Sequence, residues 1–75
     1  MTTQIRTRNS AESPVSNVTY DLMQALTSKL EAIEAYEMYR QDAQGGEVGQ
    51  LFDGLLNEDR RQAERLLAAL RNELR

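Results

Sequence analysis

Seventy-five residues bound this chain to a single domain, and a domain that short needs disulfides, a metal or oligomerisation to support a small core. The sequence contains no cysteine and no histidine, which excludes disulfides, thiol chemistry, and the commonest metal ligand and general base. A net charge of −3 argues against nucleic acid as a partner. No apolar run approaches the ~20 residues that span a bilayer, so no membrane partner is expected either.

The first segment, "MTTQIRTRNSAESPVS", is rich in Ser, Thr and Asn and holds the only proline, Pro14. Ile5 and Val15 are nearly its only large apolar residues. It reads as a disordered tail over residues 1–16. Its first ten residues lack the apolar stretch of a secretory leader, which makes the cytoplasm the expected location.

The second segment, "NVTYDLMQALTSKLEAIEAYEMYRQDAQ", predicts a helix over about residues 18–44. Asn17 or Thr19 is the candidate N-cap, with Asp21 in the first turn. A turn of ~100° per residue gathers Val18, Leu22, Leu26, Leu30, Ile33 and Tyr36 on one face. Three charged residues, Lys29, Glu37 and Arg40, join that face. Gly45-Gly46, the only Gly pair, predicts the C-cap and a turn.

The third segment predicts a helix over about residues 47–74. Val48, Leu51, Phe52, Leu55, Leu56, Ala63, Leu66, Leu67, Leu70 and Leu74 fill an arc of roughly 160°, with Asp59 and Gln62 inside it. Gly49 and Gly54 each weaken it by about 1 kcal/mol relative to Ala, so its first turns are expected to be the less stable ones. Arg71 and Arg75 suit the C-terminal end of the dipole.

Two such helices joined by a two-residue turn form an antiparallel hairpin. The apolar arc of the second helix is too wide for a single seam. The economical arrangement is a homodimer, or a higher homo-oligomer, closing an all-α four-helix bundle. A further, unidentified protein partner is also consistent with that surface.

The strings "LEAIEAYEMYRQDA" and "LFDGLLNEDRRQAERLLAAL" resemble the helical hairpin of the ferritin-like superfamily, in particular rubrerythrin halves and small encapsulated ferritins. The likeness covers about residues 20–72 and rests on Tyr36, Asp42, Ala43 and the "LF..L..ED..QA" pattern. It implies a hairpin that pairs with a second one around a carboxylate-bridged di-iron site. Tyr36 matches the family tyrosine. The ligand positions are degenerate: Lys29 stands where Glu is expected, and Asp59 and Gln62 stand where the family has Glu-x-x-His. The resemblance therefore implies no catalytic residue, no cofactor and no metal, and a non-enzymatic structural or interaction role. The alternative is an iron-binding or storage protein using the carboxylates Glu31, Glu34 and Glu37, which share a face at i, i+3 spacing; a solvated acidic face is the plainer account of them. In an antiparallel hairpin turning at Gly45-Gly46, Lys29 falls opposite Gln62 and one turn from Asp59. That predicts a Lys29–Asp59 pair inside the bundle, because a buried carboxylate finds a counter-charge or takes up a proton; the alternative has Asp59 reaching water at the dimer edge.

Overall fold

The computed structural model describes residues 13–75. Among these residues two helices form, α1 (Asn17–Ala43) and α2 (Gly46–Glu73), and they pack against each other as a hairpin. The part of the expected tail over residues 1–12 lies outside the described residues.

The N-cap of α1 is Ser16, not Asn17 or Thr19. Its Oγ accepts from the Thr19 backbone N–H at 3.0 Å and donates to Thr19 Oγ1 at 3.1 Å. The two hydroxyls thus satisfy one open donor of the first turn and each other. With the cap moved one residue upstream, Asp21 falls outside the first turn, which holds no acidic side chain.

The turn also differs from expectation by one residue. Gln44, not glycine, closes α1 in the left-handed region (φ 57°, ψ 42°), and its N–H bonds the Gln41 carbonyl. Gly45 (φ 86°, ψ −161°) is the N-cap of α2, and Gly46 (φ 73°) is its first residue. The Gly pair is needed because two successive positive φ values follow a third at Gln44, and side chains rarely tolerate them.

The residues that α1 turns away from solvent include Thr19, Leu22, Leu26, Lys29, Ile33, Tyr36, Arg40 and Ala43. On α2 they include Gly49, Phe52, Leu56, Asp59, Ala63, Leu66 and Leu70. Both sets alternate steps of three and four, a 3.5-residue period like that of a coiled-coil seam. This corrects the face expected for α1. Val18 and Leu30 are 54% and 52% exposed, while Thr19 is 5% exposed. Steps of four from Val18 to Leu30 drift off the 3.5-residue contact line, which runs through Thr19 and through Lys29, already expected on this face. Near the turn the backbones approach closely: a Cβ built on Gly49 meets the Ala43 Cβ at 3.9 Å.

The core is thin. Leu56 and Ala63 are the buried hydrophobic residues among those described, and Thr19 is the buried polar one. Val48, Leu51 and Leu74, all part of the apolar arc of α2, stay exposed, because one partner helix covers only one stripe of an arc that wide.

Candidate functional site

Each of the three charged residues on the inner face of α1 meets an opposite charge on α2. Lys29 Nζ donates to Asp59 Oδ1 at 3.2 Å, Arg60 donates to Glu37 Oε2 at 2.7 Å, and Arg40 donates to Asp53 Oδ1 at 3.2 Å. The last two pairs are exposed surface bridges, with side chains 41–50% accessible. The Lys29–Asp59 pair is different in kind, since its side chains are 34% and 15% accessible.

The positions of Lys29 and Asp59 follow from the seam. Each replaces the apolar residue that its place in the 3–4 alternation calls for, so the two side chains meet between the helices. Lys29 lays its aliphatic stem along the interface and carries its ammonium to the edge. Asp59 is shorter and stays further in, and its desolvation is offset by the ammonium. Gln62 is exposed and lines an open cleft of about 420 Å³ together with Lys29, Arg65 and Leu66. Lys29, Asp59 and Gln62 therefore occupy one neighbourhood at mid-length of the hairpin.

Toward the turn, the same edge of the seam continues as an aromatic cluster. Tyr36 and Phe52 have ring centroids 6.1 Å apart, Tyr39 and Phe52 5.5 Å, and Tyr36 and Tyr39 meet edge-on at 6.0 Å. Such tilted and edge-on pairs each add about 0.5–1.5 kcal/mol beyond their burial. The tyrosines act here as packing residues. Tyr39 lies outside the expected apolar face, and the register of α2 brings Phe52 beside it.

The three carboxylates Glu31, Glu34 and Glu37 are not brought together. Glu37 turns to Arg60, Glu31 and Glu34 face solvent, and no group of three His, Cys, Asp or Glu suited to a metal occurs among the described residues. At the mid-length cluster, an ammonium beside the carboxylate opposes a divalent cation by charge. What the cluster can do chemically is bind and orient: it offers an amide, an ammonium and a guanidinium as donors, and carboxylate and amide oxygens as acceptors. No helix among the described residues is long and apolar enough to cross a membrane. The chain matches no family model, no curated protein and no solved structure.

Proposed function

We propose that this chain is a non-catalytic helical module that works by self-association and protein contact, of ferritin-like descent, with the ligand positions taken over by Lys29, Asp59 and Gln62. One observation carries the reading. Val18, Tyr20, Met23, Leu30, Met38, Tyr39, Val48, Leu51 and Leu74 are exposed large hydrophobics, against Leu56 and Ala63 buried. Apolar surface in such excess over the core marks an interaction surface, and a chain of this size without disulfides draws its remaining stability from association.

The test is light scattering on the full chain at micromolar concentration, with circular dichroism alongside. A dimer or larger species that loses helicity on dilution is expected. A monomer that stays fully helical and melts cooperatively at high dilution would overturn the reading.

A further inference from the structure

We propose that two copies of this chain pack face to face through the edge of the seam that carries Lys29, Asp59 and Phe52, with their turns at opposite ends. The proposal rests on the self-association reading above and specifies its face and its polarity.

The contacts divide the hairpin into two edges. Lys29–Asp59, Tyr36–Phe52 and Tyr39–Phe52 lie on one. In the 3.5-residue repeat, Ala25, Ala32 and Ala35 of α1 and Leu51, Leu55 and Leu66 of α2 fall on that same side. The opposite edge is crossed in its turn half by the exposed pairs Arg40–Asp53 and Glu37–Arg60, which keep it hydrated. On the first edge the Lys29–Asp59 pair lies at mid-length beside Gln62 and Arg65, and toward the turn the places flanking the seam, Ala32, Tyr39, Val48 and Leu55, are apolar or aromatic. The alanines allow the α1 helices to approach closely, and the leucines of α2 supply the burial.

The area suffices. Helices of 27 and 28 residues are each ~40 Å long, and two side by side are ~20 Å wide. That face presents on the order of 800 Å², what one partner contributes to a stable interface.

Charge sets the polarity. Residues 31–60 carry eight acidic and two basic side chains, a net −6, whereas the rest of the described chain carries three acidic and five basic, a net +2. Copies with their turns at the same end would lay two strongly acidic halves together. Copies with opposed turns lay each acidic half over a basic one. The two-fold axis then passes at mid-length, beside the two Lys29–Asp59 pairs. The second copy covers the cleft lined by Lys29, Gln62, Arg65 and Leu66, and Gln62 of each copy is positioned to hydrogen-bond across the axis.

Two exposed leucines make a matched test, since neither supports the hairpin itself. Leu51 on the proposed face is 58% exposed and Leu30 on the opposite edge is 52% exposed. Leu51→Lys is expected to weaken dimerisation by about tenfold or more, while Leu30→Lys changes it by less than about threefold. Polarity is read from a spin label on Glu47→Cys, in a chain with no other cysteine. Opposed turns place the two labels roughly 40 Å apart, and turns at one end place them within about 20 Å. Dimer formation that weakens with salt supports the charge argument. If Leu30→Lys breaks the dimer and Leu51→Lys does not, or if the labels are close together, the face or the polarity is wrong while self-association stands. A wild-type chain that is monomeric at high concentration overturns both.

Discussion

Lys29 Nζ stands 3.2 Å from Asp59 Oδ1, an ion pair between residues 30 positions apart in sequence, set in a seam otherwise suited to apolar side chains. The two partners are not equally sheltered. Lys29 is about a third exposed, whereas Asp59 is largely enclosed. Removing the cation therefore strands a carboxylate with limited access to water, while removing the carboxylate leaves an ammonium with more.

Lys29→Met is accordingly expected to cost about 1–3 kcal/mol in the hairpin, and Asp59→Leu less, because Lys29 extends its stem to solvent. The double variant should recover most of the loss. Chemical denaturation of the four species in a double-mutant cycle gives the coupling. A coupling energy near zero would mean that the pair is an ordinary surface contact.

The Glu37–Arg60 bridge is shorter, at 2.7 Å, but both side chains are more than 40% exposed. Arg60→Ala should shift stability by less than about 0.5–1 kcal/mol, since water screens exposed pairs and ordering two long side chains offsets the gain. The contrast with Lys29→Met in the same denaturation assay tests whether enclosure, rather than distance, decides the value of a pair here.

Backbone conformation separates the glycines into two groups. A Cβ on Gly54 meets nothing within 4 Å, and one on Gly49 makes ordinary contact with Ala43. Gly54→Ala and Gly49→Ala should each stabilise by about 1 kcal/mol, raising the midpoint by roughly 4–8 °C in a domain of this size. Gly45→Ala should lower it, because φ +86° with ψ −161° suits glycine alone. Gln44→Gly should be neutral or stabilising by up to about 1 kcal/mol, since it relieves a side chain in the left-handed region. Thermal melts at one protein concentration report all four.

Loss of the Ser16 hydroxyl opens the first turn of α1. Ser16→Ala should cost about 1 kcal/mol and Ser16→Gly a few tenths. Amide hydrogen exchange should show the Thr19 N–H, which Ser16 Oγ accepts at 3.0 Å, exchanging faster in Ser16→Ala. Unchanged protection there would show the cap to be dispensable.

The proposed descent from a metal-binding hairpin has its own test. Lys29→Glu, Asp59→Glu and Gln62→His together install the ferritin-like pattern at three positions that the hairpin gathers at mid-length. The triple variant should acquire Fe²⁺ or Zn²⁺ affinity and a metal-dependent rise in melting temperature through linkage. Isothermal titration with Zn²⁺ giving no saturable binding would count against that descent.

The two helices and the position of the turn are local properties, and the sequence determined them by itself. Apolar residues recur at helical spacing, and Gly45-Gly46 interrupts them, so both elements are legible to within a residue or so. The meeting of Lys29, Asp59 and Gln62 was equally legible, since a short turn leaves almost one way to lay two helices antiparallel. What the sequence did not determine is which stripe of each helix is inner. Helical spacing selects Val18 and Leu30 along with Lys29, and only packing against α2 turns Thr19 inward and leaves Val18 and Leu30 in solvent. The cap at Ser16 and the left-handed Gln44 depend on hydrogen bonds one residue away from the residue types that favour them. The partners of Glu37 and Arg40 were hidden for a related reason. A register of side chains across two helices is set by packing of the whole seam, with Ala43 against Gly49 at one end and the Tyr36–Phe52 rings beside it, and no single residue in the sequence encodes it.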